Sequence, residues 1–359
     1  MGLKILHSAD WHLDSPFLGF TEQQRQFLRE AQRTIPGKVA DLCRRENCDM
    51  MLLAGDLFDG EPSRESVDIL KRELENCGVP VLIAPGNHDF YRADGPWAKE
   101  TWPENVHIFK GKLESVSLPE LDCRIYGAGY QNMDCGPLLE NFHTEGGETY
   151  HIAVLHGDPT QPNSPYCPIT QAQVAASGLT YLALGHVHKA GQLTAGDTLC
   201  GWPGCPMGRG WDETGSKGFV LLDAGLSGVK AHFIPFARRC IHAVDVDITG
   251  LQTNSQVYTA IQEKTAHIPE EDLVRVNLAG KKSPQAEFSR QYLQQLLERC
   301  FFSLDIKDCW QLDTESFVPE ISLKGAFVRL ALEQDLPDQD KQLLIRMGLQ
   351  ALAGEELTL

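Results

Sequence analysis

Residues 50–59, with the sequence MMLLAGDLFD, constrain the fold of this chain more than any other stretch. A short apolar run ends at Gly55, and the carboxylate of Asp56 follows at once. A run this short predicts a buried strand, because a buried helix needs more length. A strand that is apolar on both faces suits a sheet that is covered on each side. Asp56 is then expected at the carboxyl end of this strand, where open α/β sheets bind their ligands.

Four other apolar runs follow the same pattern. Each leads at its carboxyl end into aspartate, asparagine or histidine: residues 3–9 into Asp10 and His12, 79–85 into Asn87, His88 and Asp89, 151–155 into His156, and 179–184 into His186 and His188. Core packing gives no reason for this coincidence. A shared metal site does, because imidazole and carboxylate groups are metal ligands.

The length and composition indicate a globular protein. A chain of 359 residues is long enough for two domains, and 42% hydrophobic with 23% charged residues is ordinary for such a protein. No charged-then-apolar leader opens the sequence, and no apolar run approaches the ~18 residues of a membrane span. We therefore expect a cytoplasmic protein without a membrane partner.

The cysteines and the net charge limit two further classes of function. The 11 cysteines lack CxxC spacing, so reduced, buried thiols are favoured over a zinc cluster of Cys43, Cys48, Cys200 and Cys205. A net charge of −17 argues against a broad basic DNA-binding surface. It does not exclude a nucleic-acid substrate, because bound metal neutralises carboxylates and a partner can supply a basic groove.

Alternating strands and helices are predicted for residues 1–238. We expect a helix over 21–46 that is interrupted at Pro36, and a clearer helix over 63–76 that Ser63 caps and Gly78 ends. Residues 131–149 are expected to form a loop with one short helix. The glycine- and proline-rich residues 201–210 predict a loop in which Arg209 either binds a phosphate or belongs to a structural turn, and we favour the turn.

The pattern changes after residue 238. Strands near 243–248 and 273–278 and helices near 254–266 and 285–301 predict a small α+β accessory or capping domain over 239–335. Residues 336–359 predict a helical tail with apolar side chains at helical spacing, namely Leu343, Leu344, Met347, Ala351 and Leu352. This helix either packs on its own domain, which we favour, or docks on a partner chain.

The strand-end residues favour a pair of metal ions. Two divalent cations ~3.7 Å apart repel each other by roughly 18 kcal/mol at an effective dielectric constant of ~20, so an anion must lie between them. Asp56 is the candidate bridging carboxylate, together with a bridging hydroxide. Asp10 and His12 are spaced to chelate one ion, His186 and His188 share that spacing, and Asn87 offers a finishing ligand. Mixed imidazole and carboxylate ligands favour manganese, iron or zinc over magnesium or calcium.

His88 is the candidate general acid. It follows Asn87 directly and is expected to protonate a leaving oxygen without binding a metal ion. Asp59 is the candidate carboxylate that orients His88, and Asp89 is expected to support the site from behind. The remaining histidines have no ligand partners in the sequence and receive no role: His7, His107, His143, His151, His232, His242 and His267.

These motifs resemble those of the calcineurin-like metallophosphoesterases, and within them the SbcD-type DNA repair exonuclease subunits, especially their YhaO-like branch. The likeness is carried, in family order over about residues 1–235, by SADWHLDSPF at 8–17, GDLFD at 55–59, GNHD at 86–89, HGD at 156–158 and GHVH at 185–188. The resemblance implies an α/β protein built on a β-sandwich flanked by helices, with a small α+β C-terminal capping domain. It also implies an SbcC-like ATPase partner, and a homodimer remains open.

The resemblance also implies ligands and activity. One metal would be held by Asp10, His12, Asp56 and His188, and the other by Asp56, Asn87, His156 and His186, with manganese favoured. The leading hypothesis is a metal-dependent DNA nuclease that acts as an exonuclease in DNA repair. The alternatives are a phosphodiesterase or phosphatase on small nucleotides, and a non-catalytic regulatory subunit. Asp59 is followed by Gly60, Glu61 and Pro62, so the arginine that serine/threonine phosphatases carry there is missing.

Overall fold

Two six-stranded sheets lie face to face in the amino-terminal part of the chain. The computed structural model describes residues 2–226 and 228–354. The chain divides into a first unit that ends at Cys240 and a second that begins at Ile241. The sequence-based boundary, 238/239, lies two residues before this division. Residues 355–359 of the predicted tail lie outside the described residues.

The first unit alternates strands and helices. Its strands are β1 (Leu3–Ser8), β2 (Met50–Leu53), β3 (Val81–Ile83), β4 (Val106–Ile108), β5 (Glu114–Leu118), β6 (Cys123–Gly127), β7 (Tyr150–His156), β8 (Tyr181–Gly185), β9 (Gly191–Ala195), β10 (Thr198–Trp202), β11 (Gly218–Gly225) and β12 (Gly228–Pro235). Its helices are α1 (Glu22–Gln32), α2 (Ile35–Arg45), α3 (Arg64–Cys77), α4 (Pro96–Lys99) and α5 (Gln171–Ala176), with a 3-10 turn at Pro119–Leu121.

The strand order shows how the sheets are built. One sheet has the order β12-β11-β1-β2-β3-β4, in which β1 to β4 run parallel. The other has the order β5-β6-β7-β8-β10-β9, in which β6, β7, β8 and β10 run parallel. Parallel neighbours end at the same edge, so residues that follow β1, β2 and β3 are brought together, as are those that follow β7 and β8.

Strand β2 explains why its sequence is apolar without alternation. Met50 and Leu52 lie in the core between the two sheets, whereas Met51 and Leu53 lie in the core beneath the helices α2 and α3. All four side chains are completely buried. Val174 of α5 packs on the outer face of the second sheet. A β-sandwich flanked by helices is therefore confirmed, and β2 is covered on both faces as predicted.

The helix boundaries follow local chemistry. The predicted 21–46 helix is interrupted between Gln32 and Ile35, so that Pro36 lies in the first turn of α2, where its missing N–H is tolerated. Helix α3 begins after Ser63, whose hydroxyl accepts from the N–H of Ser66, and ends at Gly78 with φ +70°. The short helix predicted in 131–149 is wrong: those residues, all described, contain none. Glycines and Pro137 interrupt that stretch before a helix can nucleate.

The second unit is a three-stranded parallel sheet with helices. It contains β13 (Ile241–Asp247), α6 (Asn254–Thr265), β14 (Leu273–Ala279), β15 (Lys281–Lys282), α7 (Arg290–Leu297), β16 (Ser303–Asp308), β17 (Gln311–Leu312), a 3-10 turn at Glu315–Phe317, α8 (Leu323–Leu332) and α9 (Asp338–Ala353). The sheet order is β13-β14-β16, and β15 pairs with β17. The predicted helix over 285–301 is shorter than expected because it starts only after its cap, Ser289.

The tail helix packs through a face that the sequence did not indicate. Ile345 of α9 is fully buried in a cluster with Val328 of α8, and a side chain at Gly348 would collide with the ring of Phe327. Leu343 and Leu344, which the pattern placed on the packing face, are 36% and 37% exposed. Helix α9 thus packs on its own unit, as favoured. No helix in the described part of the chain has the length and apolar character to cross a membrane.

Candidate metal centre

The strand ends of both sheets carry the polar side chains of one cluster. Asp10 and His12 follow β1, Asp56 follows β2, and Asn87 and His88 follow β3. His156 ends β7, and His186 and His188 follow β8. The loops after β1 and β2 are joined by backbone hydrogen bonds from the N–H of Asp10 to the carbonyl oxygen of Gly55 (3.0 Å) and from that of His12 to the carbonyl oxygen of Asp56 (2.9 Å).

Sharp backbone turns aim these side chains inward. Asp10, His12, Asp56 and His186 all have positive φ, at 54°, 47°, 51° and 89°. Non-glycine residues seldom adopt this left-handed region, and such strain is common at functional sites. The loops also approach closely, because a Cβ added at Gly86 would lie 2.2 Å from Oδ1 of Asp56.

One group of candidate ligands surrounds His12. Its Nε2 lies 3.3 Å from Nε2 of His188 and 3.6 Å from Oδ2 of Asp56. Single ligand atoms of Asp10, His12 and His188 lie within 4.8 Å of one another. Asp10, His12 and Asp56 are at most 1% exposed.

A second group surrounds His156 and shares Asp56 with the first. Nε2 of His156 lies 3.4 Å from Oδ2 of Asp56 and 3.0 Å from Oδ1 of Asn87. Atoms of Asp10, Asp56 and His156 again lie within 4.8 Å of one another. Asp56 therefore lies between the two groups, where a bridging carboxylate is needed.

The donor set fits bound cations. Nδ1 of His156 lies 2.9 Å from the carbonyl oxygen of Ala54, and Nδ1 of His188 lies 2.7 Å from Oε1 of Glu213. When each Nδ1–H donates to that oxygen, Nε2 carries a lone pair that faces other acceptors. Buried acceptors that face one another need a proton or a cation between them. Nitrogen and oxygen donors of this kind suit manganese, iron or zinc.

The pKa shifts of His156 and Asp56 indicate the same charge pattern. Burial lowers the pKa of His156, but the charge of Asp56 outweighs burial and raises it to about 9. Burial opposes ionisation of Asp56, yet the neighbouring His156 and His12 hold its pKa well below the usual range. The site thus favours an anionic Asp56 beside positive charge.

His186 lies beside the cluster without joining a three-residue group among the described residues. Its ring packs edge-on against that of His156, with centroids 5.3 Å apart, and lies tilted against the ring of Tyr166, with centroids 4.7 Å apart. Its backbone N–H donates to Oδ1 of Asp10 at 2.9 Å. His186 is therefore placed next to the second group, at its more exposed side.

His88 and Asp59 form a pair at the rim. Nδ1 of His88 lies 3.0 Å from Oδ1 of Asp59, and Ser15 donates to the other oxygen of that carboxylate at 2.9 Å. The hydrogen bond to Asp59 raises the pKa of His88, against the effect of burial. The side chain of His88 is 39% exposed, so it is accessible to a substrate.

Asp89 holds the loop of Asp56 from behind. Its carboxylate accepts from the backbone N–H groups of Gly86 (2.7 Å), Leu57 (2.8 Å), Asp56 (3.2 Å) and Phe58 (3.3 Å). Burial and the charge of Asp56 raise the pKa of Asp89 to about 7, against the amide donors that favour the ionised form. Asp89 fixes the backbone that presents the bridging candidate.

Sequence reasoning missed Glu213 and did not indicate which residues Arg209 contacts. Glu213 partners His188, and Nη2 of Arg209 donates to Oε1 of Glu213 at 3.0 Å while Nη1 lies 3.7 Å from Asp59. Lys217 donates to the carbonyl oxygen of His188 at 3.0 Å. Arg209 thus connects the carboxylates beside His88 and His188. The arginine between two glycines was the available signal, but nothing local indicated its partners.

The alternative cysteine cluster is not formed. Cys43 and Cys48 lie in the core beneath α2 and α3, whereas Cys200 lies in the outer core of the second sheet. All four cysteines of that alternative are free thiols, and Cys205 is buried beside Glu213. Burial raises the pKa of Cys200 and Cys205 to about 12 each, so these thiols stay protonated.

Comparison with known proteins agrees with this geometry. Residues 3–190 match the family described as calcineurin-like phosphoesterase. The chain is 33% identical over 283 residues to the uncharacterized metallophosphoesterase YhaO of Bacillus subtilis, a match that covers 73% of this chain and 67% of the relative. It is 26% identical over 265 residues to the SbcD subunit of the SbcCD nuclease from the same organism, which covers 62% of this chain and 66% of the relative.

The chain spans about two thirds of the length of these relatives. Among solved structures, a dimetal phosphatase from Danio rerio is similar over 66% of this chain and 99% of its own, with 14% identity and a TM-score of 0.40. The matched residues 3–190 contain the strand-end loops that form the cluster. The chain therefore belongs to the calcineurin-like phosphoesterases, a family of metal-dependent hydrolases that act on ester bonds.

Proposed function

We propose that this protein is a two-metal DNA nuclease, acting as an exonuclease in DNA repair or processing. The observation that carries the proposal is that Asp56 lies between His12 and His156, at 3.6 Å and 3.4 Å, with the partly exposed His88 beside His12. Similarity to the SbcD subunit of an SbcCD nuclease supports DNA as the substrate. A cavity of about 440 Å³ beside His186 and His188 offers room for part of a substrate.

The proposed ligand sets follow the two groups. Asp10, His12, Asp56 and His188 would hold one ion, and Asp56, Asn87, His156 and His186 the other, with manganese as the favoured metal. Bound ions supply Lewis-acid polarisation of phosphate oxygens and lower the pKa of water. The remaining chemistry belongs to the side chains around them.

His88 is proposed to deliver the proton to the leaving oxygen. With Nδ1 engaged by Asp59, its Nε2 is the nitrogen left to face a substrate. The raised pKa of His88 keeps the imidazole protonated nearer to neutrality, as a general acid requires. Asp59 fixes the ring, and Ser15 and Arg209 restrain Asp59 in turn.

A substrate comparison tests this function against the small-nucleotide alternative. The purified protein with manganese is offered a short single-stranded oligonucleotide and a cyclic nucleotide side by side. We expect shortening of the oligonucleotide, and chromatography of the products gives the polarity. Cleavage of the cyclic compound alone would show a small-nucleotide phosphodiesterase, and cleavage of neither would favour a regulatory subunit.

The second unit is proposed to cap the catalytic unit and to dock an SbcC-like ATPase. Its α8–α9 region exposes apolar side chains, including Ile321, Leu323 (72%) and Leu330 (61%). Exposed apolar clusters mark interaction surfaces. Size-exclusion chromatography of the chain with and without such an ATPase tests this assembly, and the chain alone reports whether a homodimer forms. A cytoplasmic location is part of the same proposal.

A further inference from the structure

A second cavity, of about 660 Å³, lies wholly within the second unit. Its walls come from the β15–β17 ribbon, residues 283–286, the turn at Glu315–Phe317, the start of α8 and the middle of α9. The volume is in the range of small-molecule sites and far exceeds that of one inorganic ion. The metal centre contributes nothing to this cavity, because all of its lining residues follow Ile241.

Three cationic side chains line the cavity: Lys282, Lys324 and Arg346. Among the described residues, none of the three has an ion pair with a carboxylate within 4.0 Å. Glu320 is the acidic residue in the wall, and it accepts from the hydroxyl of Ser322 at 2.9 Å. In a chain of net charge −17, this convergence of cations favours an anionic ligand.

The surroundings of Lys282 give the strongest support for an anionic ligand. Its Nζ lies 4.3 Å from the centroid of the Phe288 ring and 4.8 Å from that of Trp310. Burial lowers its pKa, against the charge of Asp308. The two aromatic rings hold the ammonium at the cavity wall, where its donors lack acceptors among the described residues.

The rest of the wall is apolar and aromatic. Trp310 and Phe317 line it together with Leu312 and Leu349. Aromatic side chains next to cationic ones are typical of sites for nucleotides, because the bases stack and the phosphates pair. Inorganic phosphate would leave the apolar wall without a contact.

We propose that this cavity binds a nucleotide, with its phosphate at Lys282, Lys324 and Arg346 and its base against Trp310 and Phe317. The nucleotide is either a free mononucleotide or the terminal nucleotide of a single strand. Both ligands present the same base and phosphate to the cavity. They differ because a strand continues beyond the cavity and a free mononucleotide does not. The proposal does not depend on the nuclease function.

Calorimetry on the whole chain of 359 residues tests the site. The titrations contain EDTA, so that metal-dependent binding at the other centre is absent, and the probes are dAMP, inorganic phosphate and a six-nucleotide oligomer. We expect dAMP to bind more tightly than phosphate. Lys282→Gln and Arg346→Gln should each weaken dAMP binding by about tenfold or more, because each removes a charge-assisted contact. Lys264→Gln, an exposed lysine of α6 outside the cavity, should leave binding unchanged.

Each result decides the proposal. Absence of dAMP binding, equal affinity in the parent and both cavity variants, or phosphate binding as tight as dAMP would overturn it. If the oligomer displaces dAMP, the ligand is a strand end, and if it does not, the ligand is a free nucleotide. Circular dichroism confirms that each variant folds, and Arg346→Gln, at an exposed position, provides the test should Lys282→Gln unfold. Nuclease activity is assayed separately, so the two proposals fail independently.

Discussion

Asp56 is the residue that connects the two groups of candidate ligands. Its carboxylate lies 3.4 Å from His156 and 3.6 Å from His12, and it accepts from the N–H of His88 at 2.9 Å. His88, by contrast, contacts Asp59 at the rim. Truncation of Asp56 and truncation of His88 should therefore impair different properties of the protein.

Asp56→Ala should lose both metal occupancy and turnover, whereas His88→Ala should retain metal and lose about 10²–10⁴ in turnover. The reason is that Asp56 lies in both ligand groups, whereas His88 is proposed to transfer a proton without holding a metal ion. Metal content by mass spectrometry and the rate of oligonucleotide cleavage measure the two effects. Parental activity in both variants would contradict the mechanism.

Glu213 is expected to act through His188. Glu213→Gln keeps the shape but weakens the hydrogen bond that holds the imidazole, so metal affinity should fall by about 10–100-fold. Competition with a metal-binding dye measures this affinity. Glu140→Gln, at an exposed position of the same unit, is the matched control. Unchanged metal affinity in Glu213→Gln would show that the Glu213 carboxylate does not support metal binding at this centre.

His7 makes stability depend on pH. It is fully buried beside the hydroxyl of Tyr181, at 2.9 Å, and burial lowers its pKa from 6.5 to about 3. Because the folded pKa lies below the unfolded one, the unfolded chain binds the extra proton as pH falls. The stabilisation is present above pH 6.5 and is lost progressively from there towards pH 3.

Lowering the pH from about 7 to 5.5 should therefore reduce the free energy of unfolding by about 1.3 kcal/mol, because the unfolded chain binds a proton at this histidine. His7→Leu removes the titrating group, so its urea unfolding curves should shift less between the two pH values than those of the parent. Equal shifts in the two proteins would show that His7 does not titrate as its burial indicates.

Among the elements, the loops at the strand ends need glycine for close approach. At Gly86 a Cβ would lie 2.2 Å from Oδ1 and 2.7 Å from the backbone nitrogen of Asp56. Gly86→Ala should therefore displace Asp56 and reduce bound metal. Gly147→Ala, where no atom lies within 4 Å of the added Cβ, should retain the parental content. Metal analysis of both variants tests this, and full occupancy in Gly86→Ala would contradict it.

Elements with a strong local signal were predictable. The run 50–53 is apolar at every position because both faces of β2 are covered, and Ser63 with Gly78 marks the ends of α3. Helix α9 shows the limit. Its apolar residues occur on more than one side, so spacing alone chose Leu343 and Leu344, whereas packing against α8 uses Ile345.

On the scale of the whole molecule, the charge of −17 predicts that the chain alone binds DNA weakly and with a shallow dependence on salt concentration. Each phosphate neutralised by a lysine or arginine steepens the logarithmic salt dependence, and few such contacts are expected here. Fluorescence polarisation between about 50 and 200 mM salt should give a slope with a magnitude below about 3. A slope near about −10 would reveal a broad basic surface and contradict this expectation.

The sequence by itself determined the strands, the residue types that follow them and hence the chemistry of the centre, because strand periodicity and strand ends are local properties. Only the tertiary structure decided that Glu213 meets His188, that Arg209 lies between Glu213 and Asp59, and that Lys282 meets Trp310. The two residues of each pair are either far apart in the sequence or joined by a loop that has no periodic pattern. The distance between them is therefore set by the packing of whole elements, which the local sequence does not indicate.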